Sequence, residues 1–231
     1  MGTRYFTPAV FVFLRELAAN NDREWWEKNK KRYVSIIREP ALDLIADLGE
    51  QLERISPHLT ADTRVSGGSL MRPHRDMRFA KGAPYKTNVG IHFRHAAGKD
   101  VHAPGLYVHL EPGGSFAGAG LWRPEAAVAR RIRRAIHDDP SGWREAAHAP
   151  PFTDFWNLDG REYDRLRQVP KELRDRDHPY PDDLRLRSFT AASRLTQRQV
   201  TSAGFVDELL ERFEKAAPFT RLLCEATGVR F

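Results

Sequence analysis

A single cysteine in 231 residues, Cys224, leaves no partner for an intramolecular disulfide and no set of thiolates for a zinc site. That scarcity suits a reducing compartment, and the sequence predicts a cytoplasmic protein. Long apolar runs are also missing. The early stretch from Ala9 to Leu14 stops at Arg15 and Glu16, too short for a membrane span or a signal-peptide core. Gly2 does not begin a myristoylation signal, because Phe6 stands where that signal needs Ser or Thr. The catalytic signatures that rest on short motifs are absent as well. Gly113-Gly114 lacks the lysine and serine of a phosphate loop, and Ser69 and Ser115 sit outside any Gly-x-Ser-x-Gly elbow. Lysine is rare: of 37 basic residues eight are lysine, so 29 are arginine.

What is present is a globular balance of 41% hydrophobic, 29% charged and 10% aromatic residues, with a net charge of +6. Arginine forks match pairs of phosphate or carboxylate oxygens, but an excess spread along a whole chain also follows from base composition, so only local clusters count. No repeat, low-complexity tract or linker interrupts the chain, which predicts one domain over residues 1–231.

The first third reads as helices. Thr7 and Pro8 open one that carries Phe11, Leu14 and Leu17, and Asp22 caps a second with Trp25, Trp26, Tyr33, Ile36 and Ile37. Pro40 is expected to kink or split the run through Leu44, Ile45, Leu48 and Leu52. The middle third alternates: Val89, Ile91 and Phe93 against Gly90, His92 and Arg94, then Leu106, Val108 and Leu110 against Tyr107, His109 and Glu111. These predict an antiparallel hairpin, followed by a strand from Phe116 to Trp122 whose Gly118 and Gly120 admit close approach of a backbone or ligand. After Pro124 a helix carries Val128, Ile132 and Ile136 on one stripe and Arg130, Arg131, Arg133 and Arg134 on faces read as solvated. Leu184, Leu186 and Phe189 suggest a further strand, Thr196 a short helix, and the C-terminus a helical pair. The fold class expected is α+β, a central, mainly antiparallel sheet spanning about residues 64–122, flanked by N- and C-terminal helices.

The densest unusual text lies ahead of the hairpin, where Arg72, Arg75, Arg78, Lys81 and Lys86 crowd around one acid, Asp76. In an extended chain Arg72, Asp76 and Arg78 share a face opposite Arg75, and a bend at Pro73 reunites them. A turn over Gly82–Pro84 returns Tyr85 and Lys86 to the same place. Surplus guanidinium charge of this kind suits an anionic ligand. The predicted binding residues are therefore Arg72, Arg75, Asp76, Arg78, Tyr85 and Lys86. The neighbouring strand face offers Tyr107, His109 and Glu111 as candidate acid–base groups. His92, His95, His102 and His109 lack the spacing of a zinc set, so neither a metal nor another cofactor is expected.

Several stretches stand in order along the chain: Phe6-Thr7-Pro8 to Asn20-Asn21 with Arg23-Glu24-Trp25, then Arg72-x-x-Arg75-Asp76-x-Arg78-Phe79, Pro84-Tyr85-Lys86-Thr87, Pro104-Gly105-Leu106-Tyr107 and Glu111-Pro112-Gly113. Trp122-Arg123-Pro124, Asp183 to Phe189 and Ala217-Pro218 to Cys224 follow. Taken together they resemble the largely bacterial domain-of-unknown-function family 2461, and the resemblance runs end to end and implies no established activity. One departure stands out: between Phe79 and Pro84 the family pattern carries an acid followed by lysine, whereas this chain reads Ala80-Lys81-Gly82-Ala83. Three functions stay open at this level. The first is an arginine-rich site for a phosphorylated small molecule or nucleic acid. The others are a metal-independent enzyme acting on a small anion, and a structural or protein-interaction module. No membrane partner is expected, and the sequence does not specify an oligomeric state.

Overall fold

Helix α1 (Ala9–Ala19) begins one residue later than the Thr7-Pro8 pair suggests, with Pro8 as the cap and Thr7 Oγ1 accepting the Ala9 N–H at 3.4 Å. Asp22 caps α2 (Arg23–Tyr33) as expected, its carboxylate accepting from the Trp25 N–H at 2.8 Å. Pro40 does not split the next helix. The backbone widens into a π-turn over Val34–Arg38 and resumes as α3 (Glu39–Ile55) with the proline in its first turn. A proline contributes no N–H and collides with the carbonyl four residues back, and widening the preceding turn accommodates both. The computed structural model describes residues 2–76, 82–98, 103–159 and 164–231.

The sheet is antiparallel and wider than its expected span. Strands β1 (Leu59–Thr60), β2 (Val89–His95), β3 (Gly105–Leu110) and β4 (Phe116–Leu121) run in order, followed by β6 (Phe189–Arg194) and, at the edge, β5 (Asn157–Leu158). Residues 64–88 hold no regular strand among those described; one isolated bridge, Leu70 to Ile91, joins them to β2, and another, His74 to Tyr85, closes the segment on itself. The late strand also begins further on than expected, because Asp183–Arg185 forms a 3-10 turn that buries Leu184 without extending the chain.

Between β4 and β5 lie α4 (Ala126–Asp138), α5 (Pro140–Ala147) and α6 (Phe152–Phe155). Thr196 caps α7 (Gln197–Val200) with a reciprocal bond to Gln199. The expected C-terminal pair is one helix, α8 (Phe205–Thr227), continuous through Pro218. Its buried stripe of Phe213, Ala216, Phe219 and Leu223 packs across the proline, and that packing holds the axis together where propensity alone would break it. Cys224 is buried in this helix.

The core lies on one face of the sheet. Ile91, Phe93, Leu106, Val108, Leu110 and Leu121 are buried there, and Phe93 meets Phe213 of α8 edge to face at 6.1 Å. Strand alternation sends Gly90, His92, Tyr107, His109, Gly118 and Ala192 to the opposite face.

Candidate functional site

That second face is concave. A cavity of about 390 Å³ opens over it, floored by glycine and alanine from β3, β4 and β6 and walled by Met71, Tyr107, His109, Phe116 and Trp122. Small residues on the strands either side of β3 give the space. Gly118 faces Tyr107 across the β3–β4 ladder, and a Cβ there would meet the Tyr107 side chain at 3.3 Å. On the other side the Tyr107 hydroxyl crosses above Gly90. The ring therefore lies down across the sheet, between two positions without side chains.

Tyr107, His109 and Glu111 come together as their alternation predicts. The Tyr107 hydroxyl and the Asn88 side-chain nitrogen each stand 3.3 Å from His109 Nδ1, while Nε2 stands 3.1 Å from a Glu111 carboxylate oxygen. An amide nitrogen only donates, so Nδ1 accepts, and in the neutral ring the proton sits on Nε2 and is donated to Glu111. Phe116 stacks on the imidazole at 4.7 Å. Burial, and next the Glu111 charge, push the Tyr107 phenol up to about 12, so it remains a hydroxyl donor at neutral pH. The turn that carries Glu111 is closed by Ser115, whose hydroxyl bonds both the N–H and the carbonyl of Glu111 at 3.0 Å.

The cationic segment bends where the sequence suggests. The Arg75 N–H donates to the Pro84 carbonyl at 2.8 Å and the Lys86 N–H to the Pro73 carbonyl at 2.7 Å, a short ladder that sets Pro73–Arg75 against Pro84–Lys86. Arg72, Arg75 and Lys86 gather on it. Burial, and then the charges of Arg72 and Arg75, depress the Lys86 ammonium below its ordinary range. Asp76 reaches Arg72 at 4.0 Å. Arg78 and Lys81 lie outside the described residues, as does His102.

Tyr85 stands apart from these cations. Its buried ring stacks on Trp26 at 4.4 Å and touches His74 at 5.1 Å. Asn21 holds its backbone from both sides: the amide donates to the Tyr85 carbonyl and the amide oxygen accepts the Tyr85 N–H, each at 3.0 Å. One side chain thus imitates a strand partner and pins the cationic ladder to the start of α2. Asn21 belongs to a stretch that carries the family resemblance, but nothing local points to this role, since its contact is 64 residues away. Asn88 and Met71 were equally inconspicuous, their roles arising only when the chain folds over β2 and β3.

Connectivity relates the cations to the cavity. Met71 lines it and Arg72 follows directly; Lys86 precedes by two residues the Asn88 amide that reaches His109. With Cα atoms about 3.8 Å apart, Arg72 begins one residue length from the wall residue Met71, and Lys86 two residue lengths from the Asn88 that contacts the wall residue His109. Among the described residues no three His, Cys, Asp or Glu side chains come together as a metal set, and no helix is long and apolar enough to cross a membrane. His95 is tied to the fold, with Nε2 2.6 Å from the Arg230 carbonyl and Nδ1 accepting the Ala97 N–H.

No curated protein matches the chain, and no solved structure does. A family model described as a conserved hypothetical protein, DUF2461, matches residues 9–221. With nearly its whole length covered, the chain belongs to the DUF2461 family.

Proposed function

We propose that the protein binds a small phosphorylated molecule on the open face of its sheet, with the phosphate among Arg72, Arg75 and Lys86 and the remainder over the Gly118 floor. The observation that carries this reading is the Lys86 ammonium, half-buried beside two guanidiniums on a ladder closed by two backbone hydrogen bonds. With Asp76 4.0 Å from Arg72, three cations against one acid still leave surplus positive charge, which costs free energy in the empty protein and which an anion relieves. The aromatic walls suit a flat body attached to that anion.

Titration calorimetry with AMP and inorganic phosphate tests the reading, alongside a short single-stranded oligonucleotide. AMP is expected to bind the wild type, and affinity to fall about tenfold for each cation removed in Arg72→Ala and Lys86→Ala. Unchanged affinity in the double variant, or no binding to the wild type, overturns it. A nucleic-acid site behaves differently: only the oligonucleotide binds, and its affinity drops about 0.7 log units per decade of salt for each phosphate contacted.

The Tyr107–His109–Glu111 arrangement favours a second reading, in which the bound anion is also a substrate. The Tyr107 hydroxyl, 3.3 Å from His109 Nδ1, relays a ligand proton: it accepts that proton as it passes its own to Nδ1, and Glu111 steadies the imidazolium that forms. On this reading Glu111→Gln lowers turnover and leaves AMP affinity intact, whereas equal loss of both places Glu111 in binding alone.

A further inference from the structure

A second cavity, of about 580 Å³, lies beside the first half of α4, the bend at Arg123-Pro124 and the stretch Asp164 to Glu172. Among the described residues its charged lining is Arg123, Arg130, Arg133 and Arg187 against Asp164 and Glu172. Arg133 is only 7% exposed. One of its terminal nitrogens donates to the Leu186 carbonyl at 2.6 Å, and the guanidinium rests 5.8 Å from the centre of the Phe189 ring. Its Nε–H is buried and makes no hydrogen bond among the described residues. Asp164 Oδ1, also in the lining, is likewise buried without a hydrogen bond among the described residues, although Arg123 Nε stands 3.4 Å away as an ion pair.

A buried guanidinium donor left unmade costs on the order of 1–3 kcal/mol, so an orphan of this kind calls for an account. The surroundings add to the cost. Burial, then Arg187, and more weakly Arg130 work against the Arg133 charge, and Glu172 offsets them only in part. Arg123 also holds a left-handed backbone at φ 43°, a conformation disfavoured for any side-chain-bearing residue and commonest where function fixes it.

We propose that this cavity is a second anion site, which takes a small phosphate monoester with Arg133 beneath it and Arg130, Arg187 and Arg123 around the mouth. The charge balance selects the class. Four guanidiniums less two carboxylates leave an excess of two, which a monoester carrying about −1.5 to −2 at neutral pH matches. A carboxylate or a phosphodiester supplies one charge and leaves the other unanswered. The orphan acceptor on Asp164 suits a hydroxyl of the same ligand. Trp122 walls the first cavity and Arg123 the second, so the two sites meet at one dipeptide.

The test reads the Arg133 Nε–H resonance directly by NMR while inorganic phosphate, glycerol 3-phosphate, dimethyl phosphate or acetate is added. Inorganic phosphate and glycerol 3-phosphate are expected to shift it saturably, at least tenfold more tightly than the two monoanions. Because the buried Arg133 braces Leu186, the deciding variants are the exposed Arg130→Glu and Arg187→Glu, each expected to weaken the response at least tenfold. Arg72→Ala/Lys86→Ala, which removes the cations of the sheet-face cavity, is expected to leave it unchanged. No shift with either dianion, equal affinity for the monoanions, an unaltered response in the two glutamate variants, or its loss in the Arg72/Lys86 variant overturns the proposal.

Discussion

The Tyr107 hydroxyl lies 2.6 Å from the point where a Cβ on Gly90 would stand. Gly90 pairs with His109 in the β2–β3 ladder, so the phenol crosses diagonally above it to meet His109 Nδ1. The shape of the sheet-face cavity and the environment of its imidazole therefore depend on one missing methyl group.

Gly90→Ala tests that dependence. A Cβ would also stand 3.0 Å from Met71 Sδ, so the ring and the thioether must both give way. Overpacking of this kind costs about 1–3 kcal/mol. The expected outcome is a modest fall in melting temperature with a larger loss of ligand affinity, read by thermal unfolding and calorimetry on the same preparation. If affinity keeps pace with the wild type, the Tyr107 position does not matter to binding.

Asn21→Ala removes both bonds that clamp Tyr85, leaving a part-buried N–H and carbonyl without their partner. A loss of about 1–3 kcal/mol is expected in denaturant unfolding. Asn21→Asp should be worse than alanine above the carboxylate pKa, because it sets an acceptor against the Tyr85 carbonyl. Similar stability for the two variants would show that hydrogen-bond polarity is not what holds the ladder.

How much of this was legible in the sequence depends on whether a signal is local. Asp22 as a cap, and the alternation of Val89, Ile91 and Phe93, needed only neighbouring residues, and both appear in the fold. Strand β6 was blurred because Thr190, Ala191, Ala192 and Ser193 carry little hydrophobic contrast, so the stronger Leu184 and Leu186 drew the strand toward a turn. Arg133 was grouped with three solvated arginines, yet a signal existed: it follows Ala129 by four residues and precedes Ile136 by three, inside the buried stripe. The meeting of Arg72 and Arg75 with Lys86 followed from Pro73 and the Gly82–Pro84 turn, whereas the separation of Tyr85 from them required Trp26 and Asn21, far away in the chain.

Asp183 anchors the loop-rich region. One of its carboxylate oxygens accepts the Trp143 indole N–H at 2.7 Å and lies 2.6 Å from His148 Nε2, and His148 in turn stacks on Tyr180 at 4.6 Å. Asp183→Ala strands a fully buried indole donor and frees the imidazole, for an expected loss of about 3 kcal/mol. Asp183→Asn retains one acceptor oxygen and is expected to fall between the two in denaturant unfolding. An alanine variant as stable as the wild type would mean that water replaces the carboxylate there.

Lys86 links the proposed binding site to pH. Its folded pKa is depressed below the ordinary 10.5, by burial first and then by Arg72 and Arg75. Between that lowered value and 10.5 the unfolded chain binds more protons than the native one, so this residue makes stability rise with pH across the window. Below the folded pKa the penalty on the buried charge is present in full. Lys86→Met is therefore expected to be more stable than the wild type at neutral pH, with the advantage shrinking toward pH 10.5. A bound anion acts in the opposite sense: it raises the Lys86 pKa, so phosphate affinity holds below the folded pKa and declines as pH climbs through it. Unfolding free energies measured from neutral to alkaline pH, with and without AMP, check both statements. Parallel curves for wild type and Lys86→Met would show that the ammonium is not held against its neighbours, and would remove the reason to place an anion there.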